Sequence, residues 1–280
     1  MARQSGSMTA LGGFRNETQI ADDFNARNSF AIACLSYMGV SPSATITAMT
    51  VPAHLGGKSA KRLLALPKIP KGIDLRSITE RQKADILLRI EENDRQSFVT
   101  LSLKKTNAKS NFNQVDKRTV DVYQALWGFD NDIRLWLKVF TGAASVSEFN
   151  WHTKDLTVDK HRRRVCFRHL PNKVKQKLLD FLDAHKRTIV TDVLQGRGPL
   201  AAQYVIVTQH AEKTMRVHLC KMDKVLDYIL AEPIVEGPRS SVRLGRLTMQ
   251  RYGGSPHPEL LQFKIKPCEL FNVEGLTQTV

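Results

Sequence analysis

The chain reads Lys83-Ala-Asp-Ile-Leu-Leu-Arg-Ile-Glu-Glu-Asn-Asp-Arg-Gln-Ser-Phe-Val-Thr-Leu-Ser-Leu-Lys104, and this stretch predicts a β-hairpin. Apolar and polar residues alternate on both sides of a polar turn at Glu91–Arg95, which is the pattern of half-buried strands. One face of the pair carries Ile86, Leu88, Ile90, Val99, Leu101 and Leu103. The opposite face carries Asp85, Leu87, Arg89, Phe98, Thr100, Ser102 and Lys104. The stretch therefore predicts two antiparallel strands of one sheet.

The register of this hairpin places a carboxylate beside an ammonium group. If the chain turns about Asn93 and Asp94, Asp85 lies opposite Ser102, and Lys104 follows one step along the same face. Directly opposed side chains in such a pair stand roughly 5 Å apart at Cβ. The polar side of the hairpin thus has the groups needed to hold a metal ion against a phosphate.

This spacing resembles the PD-(D/E)XK nuclease superfamily and, within it, the type II restriction endonucleases. Asp85 matches the first acid of the family pattern and Lys104 its lysine. The sequence departs at Ala84, where the family often has proline, and at Ser102, where it usually has Glu or Asp. The resemblance implies that Asp85, Ser102 and Lys104 form a catalytic site that binds Mg²⁺ through Asp85. The alternative interpretation is an amphipathic hairpin with an ordinary surface acid and lysine.

A predicted N-terminal helix offers a second carboxylate. Asn16 is a candidate N-cap for a helix from Glu17 to about Met38, since apolar residues follow at roughly helical intervals. In many nucleases of the superfamily that the hairpin resembles, an N-terminal helix brings a further acid to the catalytic site. Glu17 is therefore the candidate second metal ligand, in place of the acid missing at Ser102. Otherwise Glu17 is a first-turn acid favoured by the helix dipole.

Polar side chains after the hairpin are candidates for DNA contacts. Amides and cations suit hydrogen bonds to phosphates or base edges, and the string Phe112-Asn-Gln-Val-Asp-Lys-Arg118 resembles restriction-enzyme-like sequences. The candidates in this segment are Lys109, Asn111, Asn113 and Gln114. The same residues would also suit a solvated loop.

Two glycine-containing segments later in the chain add further candidates. Arg197 stands between two glycines, which lets the backbone approach a ligand closely. Gln250 and Arg251 precede Gly253-Gly254, and these residue types pair with adenine and guanine edges, respectively. The alternative at Arg197 is a tight turn with a solvated arginine.

Charge and composition indicate a folded protein that binds a polyanion. Lys and Arg number 42 against 27 Asp and Glu, which gives a net charge of +15. This excess is the electrostatic signature of nucleic-acid binding, and its clusters alternate with apolar stretches that can form a core. No apolar run suggests a membrane span or signal segment. The four cysteines are widely separated, which indicates reduced thiols and a cytoplasmic location.

The remaining pattern gives the organisation of the chain. Strands are expected at Thr45–Val51, Ile189–Val193, Tyr204–Thr208 and, as the last one, Leu260–Ile265; helices are expected near 116–127, 130–140 and Asn172–His185. We expect a flexible tail over residues 1–15, a catalytic core over 16–145, and a remainder over 146–280 that carries recognition elements without being an independent domain.

The sequence thus predicts an α/β fold with a mixed central β-sheet flanked by helices, as in the restriction-endonuclease core. The implied function is Mg²⁺-dependent, sequence-specific cleavage of double-stranded DNA by a homodimer, because a two-fold protein matches a palindromic site. No organic cofactor and no membrane partner are expected. The alternative is a non-catalytic DNA-binding protein or regulator that uses the same basic surface.

Overall fold

The computed structural model describes residues 5–51, 83–106, 112–145, 167, 172–211, 214–237, 241–252 and 259–279. The chain divides into two compact units, each assembled from separate segments. The first comprises Met1–Asn111, Gln195–Val225 and Lys266–Val280; the second comprises Phe112–Leu194 and Leu226–Ile265. The boundary expected near residue 145 falls inside the second unit.

The described residues form α-helices, strands and two short 3-10 turns. The helices are α1 (Ser5–Ala26), α2 (Ser29–Tyr37), α3 (Val120–Trp127), α4 (Asn131–Thr141), α5 (Asn172–Ala184), α6 (Lys186–Leu194) and α7 (Met222–Leu230). The strands are β1 (Thr45–Thr50), β2 (Ile86–Glu92), β3 (Arg95–Thr106), β4 (Asn113–Thr119), β5 (Tyr204–Ala211), β6 (Thr214–Lys221), β7 (Ile234–Gly237), β8 (Ser241–Leu244), β9 (Leu247–Arg251), β10 (Leu260–Ile265) and β11 (Leu276–Thr279). The 3-10 turns are Gly198–Leu200 and Pro267–Asn272.

The first unit contains a mixed six-stranded sheet in the order β1-β2-β3-β5-β6-β11. Its strands pair antiparallel except β3 and β5, which run parallel. One face of the sheet packs against α1 and α2, with Ile20 and Phe24 of α1 meeting Leu88 and Leu101 of the hairpin. The expected α/β class, with a mixed sheet flanked by helices, is confirmed.

The hairpin has the register that the sequence predicts. Ile86 pairs with Leu101 and Glu92 with Arg95, so Asp85 and Ser102 are the next opposed positions. Asn93 and Asp94 at the turn both have positive φ, at 48° and 59°. Asn and Asp tolerate that conformation, and two such residues form the tight turn whose twist matches antiparallel strands. Local turn chemistry therefore fixes which side chains meet at the other end of the pair.

The second unit contains an antiparallel five-stranded sheet in the order β4-β10-β9-β8-β7. Its core centres on Phe263, whose ring meets Tyr123 edge-on at 5.4 Å and Trp127 at 5.7 Å. Tyr123 and Trp127 stack on each other at 4.5 Å. These aromatic contacts fix α3 on one face of the sheet and leave the alternate residues of β10 for the other face.

The N-terminal helix differs from the sequence prediction. Helix α1 begins at Ser5, so residues 5–15, expected to be a tail, are helical. Asn16 lies inside this helix and is not its N-cap, and the helix ends at Ala26 before Arg27, which has a φ of 50°. Asn28 then caps α2 by accepting a hydrogen bond from the Ala31 backbone N–H at 2.9 Å. Packing of the apolar face nucleates the helix, and extending it backwards then costs little.

Other element predictions had mixed outcomes. The helix predicted near 116–127 is wrong for the residues up to Thr119, which belong to strand β4 because the polar residues 113–119 pair with β10. Thr119 then caps helix α3. Residues 189–193 belong to helix α6 and do not form a strand, because burial of Ile189 and Val193 on one helical face overrides their β propensity. Strand β11 follows β10, so β10 is not the last strand. Helices α4 and α5 and strands β1 and β5 match their predictions.

Candidate active site

The hairpin brings Asp85, Ser102 and Lys104 into contact on one face. The Oδ2 atom of Asp85 accepts hydrogen bonds from the Ser102 hydroxyl at 3.2 Å and from the Leu103 backbone N–H at 2.6 Å. No described residue donates a hydrogen bond to the Asp85 Oδ1 atom. One carboxylate oxygen is thus anchored to the neighbouring strand.

Lys104 joins this cluster from the same strand as Ser102. Its Nζ atom donates to the Ser102 hydroxyl oxygen at 2.6 Å and to the Leu103 carbonyl at 2.9 Å. The Asp85 carboxylate lies 3.7 Å away, too far for a direct hydrogen bond but close enough for an ion pair. An ammonium group has three N–H bonds, so the third can donate to a water molecule or a phosphate oxygen.

The hydroxyl of Ser102 both donates and accepts a hydrogen bond, whereas an ionised carboxylate at this position could only accept. The Ser102 hydroxyl donates to Asp85 and accepts from Lys104, so it links the two charged groups through a single oxygen. Ser102 itself is 1 % exposed. A buried hydroxyl with both a donor and an acceptor role filled is a fixed spacer, which keeps the ammonium at a set distance from the carboxylate.

Glu17 of α1 belongs to the same electrostatic cluster. Burial and, to a smaller extent, the Asp85 carboxylate raise the pKa of Glu17 from 4.5 to about 7, and the Lys104 ammonium partly opposes this rise. The electrostatic coupling to both charged groups indicates that Glu17 of α1 lies near this end of the hairpin. The structure thus brings Asp85, Ser102 and Lys104 into contact, and Glu17 is coupled to this cluster electrostatically.

Side-chain hydrogen bonds at two points hold α1 in place beside the sheet. The Asn16 side-chain oxygen accepts a hydrogen bond from the Thr208 hydroxyl of β5 at 3.3 Å. Near the other end of the helix, the Asn25 amide bonds to both the N–H and the carbonyl of Ala48 in β1, at 2.8 and 3.0 Å. These bonds explain why Glu17, next to Asn16, has a defined position.

The predicted DNA-binding residues fall into separate groups. Asn113 and Gln114 lie on β4 and Gln250 and Arg251 on β9, all in the second unit. Arg197 is exposed in the first unit, between Gly196 and Gly198, whose φ angles of 81° and 71° favour glycine. That loop connects α6 to β5, so it does not join two strands. Lys109 and Asn111 lie outside the described residues.

Sequence reasoning missed Gln262 of β10. Its amide accepts a hydrogen bond from the Gln250 amide at 3.2 Å and donates to the Gln114 carbonyl oxygen at 2.7 Å. The only sequence signal is its position in Leu260–Ile265, where it alternates with inward-facing apolar residues. Gln262 thus connects two of the predicted DNA-binding residues.

Comparison with protein families identifies the class of the chain. A model of the R.HinP1I restriction endonuclease family matches residues 71–271, which is more than half of the sequence. The chain belongs to the R.HinP1I restriction endonuclease family. This membership confirms the resemblance drawn from the hairpin and supports a DNA endonuclease as the class of activity.

The structural comparison agrees with this family. The crystal structure of restriction endonuclease MspI in complex with its cognate DNA matches at a TM-score of 0.54 and 14% identity, covering 89% of this chain and 87% of that one. At that identity the likeness shows the fold, which is the restriction-endonuclease fold expected from sequence. A search of curated proteins gave no match.

Enzymes of this kind generally use divalent metal ions, and the cluster fits one. Among the described residues no three His, Cys, Asp or Glu side chains group as a metal site, and the carboxylates of Asp85 and Glu17 are the candidate donors in this cluster. Mg²⁺ keeps several waters and is commonly bound by one or two carboxylates. Burial and the nearby Asp85 carboxylate raise the Glu17 pKa, and a bound cation would offset the repulsion between the two carboxylates.

Proposed function

We propose that the protein is a type II restriction endonuclease that hydrolyses phosphodiester bonds at a specific double-stranded DNA sequence with Mg²⁺. The observation that carries the proposal is the hydrogen-bonded Asp85–Ser102–Lys104 cluster, with Glu17 acting on it from α1. A surface acid and lysine of an ordinary hairpin would have no reason to be anchored to a buried serine.

Each residue of the cluster has a distinct role in this proposal. Asp85 and Glu17 would hold Mg²⁺, which when bound would polarise a phosphodiester oxygen and lower the pKa of a bound water. The Leu103 N–H and the Ser102 hydroxyl keep the Asp85 carboxylate in one orientation. Lys104 directs its third N–H to the attacking water or to the phosphoryl oxygen on which negative charge develops.

DNA binding and dimerisation complete the proposal. A net charge of +15 attracts the phosphate backbone, and it predicts an affinity that falls steeply with salt. Arg197, Arg251 and the amides of the second unit are proposed contacts to phosphates or bases. A homodimer is proposed because two-fold proteins match palindromic sites, and sedimentation or light scattering with and without a cognate duplex tests it.

The decisive experiment is digestion of plasmid and phage DNA with Mg²⁺, with and without a chelator. Discrete fragments that vanish with the chelator are expected. A smear would indicate a non-specific nuclease, and retarded but intact DNA would indicate the non-catalytic DNA-binding alternative.

A matched pair of variants ties the activity to the cluster. Lys104→Ala should remove cleavage, whereas Lys105→Ala should retain it. The two variants lose the same charge from adjacent positions, but successive strand residues point to opposite faces, so only Lys104 reaches Asp85. Equal activity of the two variants would contradict the assignment.

A further inference from the structure

The second unit carries a chain of three amides across three adjacent strands. Gln250 of β9 donates to Gln262 of β10 at 3.2 Å, and Gln262 donates to Gln114 of β4 at 2.7 Å. Gln262, in the middle, is 4 % exposed, while Gln250 is half-buried and Gln114 is exposed. The amide chain is therefore fixed at its centre and open at its ends.

Its surroundings favour a nucleic acid as the ligand. Gln262 lies opposite Lys117 of β4, and the next residue on this face, Lys264, lies opposite Gln114. Among the described residues of β4, β9 and β10, this face carries no Asp or Glu. Amide groups flanked by cations suit base edges beside phosphates.

The hydrogen bonds within the amide chain determine which base edges its two end amides can contact. Because Gln250 uses one N–H on Gln262, it keeps a carbonyl oxygen and one N–H, the pair that matches adenine. Gln114 accepts one bond at its carbonyl oxygen and keeps both N–H groups, which can donate to the two acceptors of guanine. Reversing all three amides preserves both bonds and exchanges the donors that remain. In either arrangement one end keeps two N–H groups and the other end keeps one.

We infer that Gln262 couples the base readout of Gln114 and Gln250, so that the two glutamines select two base pairs jointly. The inference rests on the proposed DNA-binding function and adds a positioning residue that touches no base. It predicts that a change at one end alters the base preference at the other end.

The test is selection of bound duplexes from a randomised library in Ca²⁺ without Mg²⁺, followed by sequencing. Gln114→Met, Gln250→Met and Gln262→Met remove the amides at similar volume, and Gln176→Met, an exposed amide of α5, is the control. Thermal midpoints and affinity for a scrambled duplex are measured in parallel, because a merely structural role would move those instead.

The expected result is a joint loss in Gln262→Met. Discrimination at both base pairs should fall about 5- to 150-fold, which corresponds to roughly 1–3 kcal/mol per base contact. Affinity for the scrambled duplex should stay within about twofold of wild type. Gln114→Met should relax its own base pair and also change the preference at the pair that Gln250 reads. The Gln176→Met profile should equal that of wild type.

Several results would overturn the inference. One is an unchanged selection profile in Gln262→Met; another is an effect of each end variant confined to one base pair. If Gln262→Met does not fold, the two end variants, whose side chains are not fully buried, decide the question through this cross-effect. If the wild type selects a sequence but does not cleave it with Mg²⁺, the proposed nuclease activity is refuted and the coupled readout is not. A wild type that selects no sequence refutes the coupled readout even if it cleaves DNA.

Discussion

Glu17→Gln should stabilise the metal-free protein at alkaline pH. Burial and the Asp85 carboxylate raise the pKa of Glu17 from 4.5 to about 7, so the folded state favours the protonated acid. The stabilising effect of that bound proton is complete below pH 4.5 and is lost as the pH rises through about 7. Glutamine mimics the protonated acid at every pH, so the variant escapes this loss.

The size of the effect follows from the pKa values. A rise in pKa from 4.5 to about 7 corresponds to at most about 3 kcal/mol, at 1.36 kcal/mol per tenfold change in proton affinity. Glu17 is only partly buried, and solvent screening reduces this to about 1–2 kcal/mol. The variant should therefore match wild type near pH 4.5 and be about 1–2 kcal/mol more stable at pH 8.5.

Urea unfolding in EDTA, followed by circular dichroism between pH 4.5 and 8.5, measures this difference. Asp22→Asn removes an exposed acid from the same helix and is the matched control. Repeating the titration with Mg²⁺ should reverse the order, because the wild type gains binding energy that the variant lacks. A difference between wild type and Glu17→Gln that does not change with pH would refute the reasoning.

Asp85→Ala should abolish cleavage while leaving DNA binding largely intact, which gel shifts in Ca²⁺ would measure. Loss of binding would indicate that Asp85 contributes to DNA binding and would contradict the prediction. Ser102→Ala should lower kcat less than Asp85→Ala does, because the Leu103 N–H still holds the carboxylate at 2.6 Å, and single-turnover rates check this order. Arg251→Ala should weaken cognate binding more than non-specific binding, by roughly 1–3 kcal/mol of discrimination, whereas Lys109→Ala should weaken both equally and lower the salt slope by about one. Titrations on cognate and scrambled duplexes at several salt concentrations test this expectation, and identical behaviour of the two variants would contradict it.

The catalytic geometry could be predicted because its determinants are local. Asn93 and Asp94 fix the turn, the alternation fixes the faces, and the register of Asp85 against Ser102 follows by counting. The resemblance identified Glu17, but the prediction placed both ends of its helix at the wrong residues. Gly12 and Gly13 favour neither a helix nor a clear end, so the sequence does not mark where α1 begins.

Non-local pairing explains what the sequence could not predict. Gln114 and Gln262 are 148 residues apart, and nothing in either segment indicates that β4 and β10 are neighbours. The strand predicted at Ile189–Val193 failed for a related reason. β-Branched residues favour strands on average, but burial against the rest of the second unit decides the outcome.

The interleaved chain path has a consequence for how such an enzyme can be altered. The chain passes from one unit to the other after Asn111, Leu194, Val225 and Ile265, and the third of these points lies inside α7. No single cut yields either unit as one continuous polypeptide. Transplanting the amide face into a relative would require replacing two separate segments together, so new specificities should be reached more readily by point substitutions on β4, β9 and β10 than by recombination of whole modules.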